Sequence, residues 1–409
     1  MLEVGVAQLI ERLGSLPSGS VLLRRLGDLS GVYLVGGAVR DLLLGGQPDD
    51  LDLAVEGELA QVIARLGRPA RANDRFGTCT VLAEGFSYDV ARTRCERYER
   101  PGALPTVIGP ATIEVDLRRR DFTVNSIALG LGGQQGGVVA VAGALEDLER
   151  RRLRVLHDHS FRDDPTRLLR LARYAARLRF GVEAATRRLA IDAVETGALR
   201  TVSGSRLGAE LRLLLAEPDP VAALRELREL RIDAAIAPGF GIAEPDLVAR
   251  ALALLPQDGQ AGDVAMAVAL AGVSPDERRP LLDELSFPSP RRGAIIMAAQ
   301  RAPALAHALA AADRPSRIAD AVGDAPVELV ALAGAIGGAT QAARWLGDLR
   351  HVRLEISGDD LLRAGISAGP AVGEGLGAAR AARLDGVAVD REAQLQVALT
   401  AVADRARQH

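Results

Sequence analysis

Lysine is absent from this chain, so all 50 basic residues are arginines, each a planar fork suited to two-point contacts with phosphate. Aromatic residues are scarce, at 3%. Cores must therefore be packed with Leu, Ala, Val and Ile, a composition that favours helices over β-sandwiches. The two cysteines, Cys79 and Cys95, lack metal-ligand spacing and are too few for a disulfide scaffold, which points to a reducing cytoplasm. No uncharged apolar run reaches membrane-spanning length, and Met1–Arg12 reads as an amphipathic helix without the charge pattern of a signal peptide. The expected setting is cytoplasmic, with no membrane and no protein partner implied. Histidines number five, and His157-Asp158-His159 cannot converge easily in helix or strand, so it reads as a polar loop. Nothing here marks a His/Asp metal-phosphohydrolase domain.

What is present divides in two. At 409 residues the chain should split into two to four domains. Between about Gly31 and Val141, short apolar runs alternate with turn residues. Val32–Val35, Asp52–Val55, Cys79–Leu82, Ser87–Arg92 and Val124–Leu129 read as strands, with helices at Val39–Leu44 and Glu58–Leu66, giving a small α/β domain. Beyond Leu145 the apolar spacing becomes helical, through Leu168–Leu178, Leu207–Leu215, Ala222–Leu230, Leu247–Leu255 and later segments. The net charge is −3, but Arg150–Phe180 holds ten arginines against three aspartates, enough to meet a polyanion.

Four motifs carry the chemistry. Gly36-Gly37, after the first strand, lets backbone N–H groups approach an anion closely. Its spacing is not that of a dinucleotide-binding motif. Asp50 and Asp52, two apart, share one face of a strand, where two carboxylates repel unless a hard cation neutralises them; Mg²⁺ suits such oxygen ligands together with substrate phosphates. Asp89 sits on a nearby strand as a candidate third carboxylate. Arg120-Asp121 precedes a helix-like run that places Asn125 on the face of Asp121, so that Arg120 is suited to a phosphate and the other two to ribose hydroxyls. Asp164-Pro165 has the form of a helix N-terminus, and Arg167, one turn on, has Asp163 and Asp164 within reach. The same two residues allow another use. Cytosine and adenine both present an amino donor beside a ring-nitrogen acceptor, and a carboxylate with a guanidinium, Asp164 with Arg167, selects them together against guanine and uracil. The basic, proline-punctuated stretch Arg94–Thr112 reads as a long loop, of the kind that often covers substrate.

Together, Leu34–Asp41, Asp50-Leu-Asp52, Arg119–Asn125, Asp163–Arg170 and Val202–Leu211 resemble the class II tRNA nucleotidyltransferase/poly(A) polymerase family, clearly over about residues 30 to 240. The resemblance implies a polymerase-beta-like α/β head (1–150, opened by a helical segment at 1–28), then an all-α neck (151–216), body (217–325) and tail (326–409) that hold the tRNA acceptor stem. It implies Asp50 and Asp52 as metal ligands and catalytic residues, and Asp89, from its place on the nearby strand, stays the candidate third catalytic carboxylate. Gly36, Gly37, Arg40, Arg120, Asp121, Asn125, Asp164, Arg167 and Arg170 become the nucleotide-binding candidates. Where the family commonly has Glu-Asp ahead of the template Arg, this chain has Asp163-Asp164, and the family's Asp-Pro-x-Gly-Gly is replaced by Ala140–Leu145. The implied activity is Mg²⁺-dependent addition of C and/or A from CTP and ATP to the tRNA 3′ end. Rivals are a CC-adding enzyme, an A-adding enzyme, a poly(A) polymerase and a catalytically silent RNA-binding module.

Overall fold

The computed structural model describes residues 5–73, 77–132 and 137–408; Met1–Val4 of the expected N-terminal helical segment lie outside them. The chain forms two compact units, Met1–Ile236 and Ala237–His409.

In the first unit, helices α1 (Val6–Ser15) and α2 (Pro17–Leu26) precede strand β1 (Val32–Val35), helix α3 (Gly37–Leu43), strand β2 (Leu51–Val55) and helix α4 (Leu59–Leu66). Strands β3 (Arg68–Asn73), β4 (Thr78–Ala83), β5 (Phe86–Arg92), β6 (Arg94–Arg97) and β7 (Thr106–Pro110) follow. Helix α5 (Ile113–Arg118) and strands β8 (Ile127–Gly130) and β9 (Val138–Ala140) complete the α/β part. Seven strands form one sheet in the order β3-β4-β5-β2-β1-β8-β9, with β2 and β5 parallel and the other neighbours antiparallel. Side chains alternate across it. Leu51 and Leu53 of β2 are buried on one face, while Asp52 and Ala54 point to the other. There Ala54 packs with Val35 and Ala128 beneath Ile113 and Leu117 of α5. Helix α5 covers that end of the face and leaves Asp52 exposed.

The helical continuation of this unit comprises α6 (Ala144–Glu149), α7 (Ser160–Asp163), α8 (Thr166–Leu178), α9 (Ala184–Glu195), α10 (Gly204–Leu215) and α11 (Pro220–Glu229). Helix α8 buries Leu168, Leu169, Leu171, Ala172 and Ala175 along one stripe and packs on α10 and α11. Its polar stripe is left for the cleft.

The second unit is helical, with no strand among its described residues. Its long helix Ser289–Ala311 has the length and composition to cross a membrane, yet it packs against the buried helix Val327–Ile336 of the same unit. Ile356, Leu361, Ala379 and Ala398 form a separate apolar cluster near its end.

The α/β head followed by helices is as expected; several local expectations are corrected. The stretch after Asp121 is not a helix but a 3₁₀ turn, Thr123–Asn125, feeding β8, which starts at Ile127 rather than Val124. Asp50 lies just before β2 instead of on it. The expected loop Arg94–Thr112 is a two-stranded hairpin, β6 with β7. Strands β3 and β9 escaped notice because both are edge strands: β3 carries Pro69 and charged residues instead of an alternating apolar pattern.

Candidate functional site

Strand β1 ends where Gly36 adopts φ +70° and ψ −131°, a conformation that favours glycine, and a Cβ there would lie 3.2 Å from Arg120 Nη1. The bend therefore has two requirements for glycine, backbone and space. It opens onto a cleft of about 420 Å³ lined by Gly36, Gly37, Asp52, Arg120, Asp121, Asn125, Asp164, Arg167 and Arg170, nine of the residues singled out from sequence.

The carboxylates come first. In the parallel register of β2 and β5, Asp52 stands directly beside Asp89, whose Oδ1 accepts a hydrogen bond from Thr80 Oγ1 at 2.7 Å. Asp52 also lines a second cleft, of about 410 Å³, together with Asp89, Thr80, Arg71 and Arg120, so it stands where the two clefts meet. Although Asp52 reaches solvent, the protein packed around its carboxyl desolvates it and raises it above the usual carboxylate range; the charges of Asp89 and Asp50 push the same way, against the opposing Arg120. Repulsion of this kind is relieved by a divalent cation, and hard oxygen donors fit one. Among the described residues no group of three or more His, Cys, Asp or Glu side chains forms a closed metal cage. An open site of two carboxylates leaves coordination positions for phosphate and water.

Arginines line the cleft as well. Asp116, 1% exposed, accepts from Arg119 Nε and Nη2 and from Arg120 Nη2, so one buried carboxylate aims two guanidinium groups. Burial pushes Asp116 up, but the two arginines beside it outweigh that and hold it below its ordinary range. The Nε of Arg120 is buried without a partner. Asp121 is held through both oxygens. Its Oδ1 accepts from Phe122 N and Asn125 Nδ2, and its Oδ2 from Arg170 Nε and Nη2. Arg40, 2% exposed, lies behind the cleft wall: it pairs with Asp41 and donates to Asn125 Oδ1 at 2.6 Å. Asp50 and Asp89, like Arg40, do not line the first cleft.

At the far end, Asp164 Oδ1 accepts from Thr166 N, Thr166 Oγ1 and Arg206 Nη2, while Arg167 donates to Ser160 Oγ and the Arg119 carbonyl. Asp164 thus caps α8 through Thr166, and Arg167 bonds to Ser160 and Arg119 instead of to Asp163 or Asp164. Lining residues that sequence reasoning missed are Arg94, Glu96, Tyr98, Leu104, Pro105, Arg119, Tyr174 and Arg206. Five of them belong to the β6–β7 hairpin, which read as an unstructured loop. Tyr174 was legible as the aromatic one turn after Arg170, whose guanidinium lies 5.5 Å from its ring centre.

Residues 32–154 match the family described as the poly A polymerase head domain. Over 220 residues, 51% of this chain, it is 42% identical to an A-adding tRNA nucleotidyltransferase of Geobacter sulfurreducens. Over 213 residues, 50% of the chain, it is 43% identical to a CC-adding tRNA nucleotidyltransferase of Deinococcus radiodurans. The matched stretch spans 25% of the first relative's length and 55% of the second's. The fold is similar to that of the Thermotoga maritima CCA-adding enzyme complexed with tRNA, with a TM-score of 0.79 and 28% identity over 97% of this chain and 98% of that one. With a glycine bend, Asp52 on β2 and the Asp164–Arg167 pair at the start of α8 all lining one cleft, the chain is similar to the tRNA nucleotidyltransferase/poly(A) polymerase family.

Proposed function

We propose that this protein is an enzyme that transfers C and/or A nucleotides from CTP and ATP to the 3′ end of a tRNA without a nucleic-acid template. The gathering of Asp52, Arg120, Asp164 and Arg167 around one cleft supports this reading, because it brings a carboxylate, a guanidinium and an Asp-Arg pair to the lining of a single cavity of about 420 Å³. Asp50 and Asp52 would hold a divalent cation, Mg²⁺ in our reading, which when bound would activate a hydroxyl and neutralise charge on the departing pyrophosphate. Asp89 is the third carboxylate. Arg120 faces the triphosphate beside the N–H of Gly37, while the Gly36 N–H is spent on the Ile127 carbonyl at 3.0 Å and Gly36 supplies the bend. Asp121 and Asn125 are fixed by Arg170 and Arg40, and their remaining valences are turned to the ribose. Asp164 accepts from the exocyclic amino group of C or A, and Arg167 donates to the ring nitrogen.

The tRNA acceptor stem then lies along the arginine-rich helical segment, and we propose that the neck, body and tail divide near residues 216 and 325. Two free cysteines accord with a cytoplasmic setting. Relatives named for A addition and for CC addition are almost equally similar, so the number of nucleotides added is a matter for experiment. Purified protein is given tRNA transcripts ending before C, after C and after CC, with each nucleotide singly, and the products are sequenced. Addition of C, A or both in that order is expected. Runs of A on any RNA would identify a poly(A) polymerase, and nucleotide binding without extension would overturn enzymatic transfer altogether.

A further inference from the structure

One side chain in the cleft belongs to none of the roles above. Arg206, on α10, donates from Nη2 to Asp164 Oδ1 at 2.9 Å and from Nη1 to the Gly102 carbonyl at 2.7 Å. Gly102 forms the turn of the β6–β7 hairpin. It adopts φ +71°, its N–H faces the Arg162 and Asp163 carbonyls, and a Cβ there would come within 2.2 Å of Thr201 Oγ1. The turn is thus seated against the helical segment that carries Asp164.

We propose that Arg206 is the positioning residue that sets nucleobase selection, by holding the base-reading carboxylate and the hairpin turn as one body. Granted the nucleotidyl transfer proposed above, the chemistry runs as follows. Three donors, Thr166 N, Thr166 Oγ1 and Arg206 Nη2, converge on Oδ1 of Asp164. They fix the carboxylate's rotation and leave Oδ2 to accept from the amino group of cytosine or adenine. A carboxylate oxygen so held accepts and does not donate, which excludes a carbonyl-bearing base edge. Through its second fork Arg206 holds Gly102, and with it the hairpin residues Tyr98, Leu104 and Pro105 that close the same cleft. Displacing the turn therefore turns the carboxylate.

The test compares the full-length wild type with Arg206→Ala, Arg206→Lys, Gly102→Ala and the double Arg206→Ala/Gly102→Ala variant. KM and kcat are measured for all four nucleoside triphosphates on the tRNA transcripts the wild type extends. Arg206→Ala should raise KM for the accepted nucleotide about tenfold, with kcat less affected, and reduce preference over GTP and UTP by a similar factor. Arg206→Lys, which keeps the charge but reaches one acceptor only, should fall between. Gly102→Ala should lose preference in the same direction, and the double variant should be no worse than the poorer single. If a variant does not turn over, preference is read from equilibrium binding of the four nucleotides. Equal losses for all four nucleotides, intact preference or strictly additive effects would overturn the proposal. Failure of the wild type to extend any tRNA would instead count against the nucleotidyl transfer itself.

Discussion

Arg170 Nη2 lies 2.6 Å from Asp121 Oδ2, and this pair ties the α/β head to the first long helix of the segment that follows, α8. Burial drives the Asp121 carboxyl up, but Arg170 beside it, with Asn125, holds it below its ordinary value. Removing Arg170 strands a buried charge. Arg170→Ala should therefore lower unfolding stability by about 3–5 kcal/mol at neutral pH, measured by urea denaturation. A depressed folded-state pKa contributes stability above the unfolded value, and that contribution is lost as pH falls through the folded one. The gap between wild type and variant should accordingly narrow in acid. A gap that widens below pH 4 would contradict it.

Asp116 acts on the cleft through Arg119 and Arg120. Asp116→Asn keeps the size of the side chain but weakens both charge-assisted bonds, so KM should rise about tenfold for every nucleoside triphosphate alike. Base preference should not change, which separates this variant from Arg206→Ala. Because the arginines hold its carboxyl below the usual range, wild-type stability should also fall more steeply than the variant's as pH drops below the ordinary carboxylate pKa.

Replacing Asp52 by Ala should cost several kcal/mol of transition-state stabilisation, about a thousandfold or more in incorporation of radiolabelled CTP or ATP, with the melting temperature unchanged or raised. Thr80→Val deletes only the hydroxyl that holds Asp89. A loss of a few-fold, alongside a much larger loss in Asp89→Asn, would identify Asp89 as a working carboxylate and Thr80 as its support. Equal and negligible losses in both would place Asp89 outside the reaction.

Gly36→Ala tests the bend itself. At φ +70° an L-residue is strained by about 1–2 kcal/mol, and the added methyl meets Arg120 Nη1. Calorimetry should show a drop of a few degrees in Tm, and turnover should fall further than stability because the phosphate clamp is displaced.

Much of this was legible in the chain. The glycine bend, the acidic pair and the Asp164–Arg170 stretch are local patterns whose spacing alone places them on a turn, a strand edge and a helix start. Asp121 and Asn125 were paired correctly for the wrong reason: a 3₁₀ turn, not an α-helix, brings Asn125 Nδ2 to 3.1 Å from Asp121 Oδ1. What stayed hidden depends on distant partners. Arg206 meets Gly102 across 104 residues, and Arg40 looked like a cleft residue until its guanidinium proved to be spent on Asn125 and Asp41. A charged side chain in an arginine-rich chain gives no local sign of whether it faces substrate or another side chain.

The parallel register that sets Asp52 beside Asp89 has a thermodynamic corollary. Both residues ride on interior strands, flanked on each side by backbone hydrogen bonding, so their amides should exchange with solvent deuterium only in the rarest openings of the head. The two-stranded β6–β7 ribbon stands apart from that sheet and should exchange sooner. In the reading proposed above, bond-making is mounted on the slowest-exchanging strands of the head, while part of the wall around the base hangs from a ribbon expected to exchange sooner.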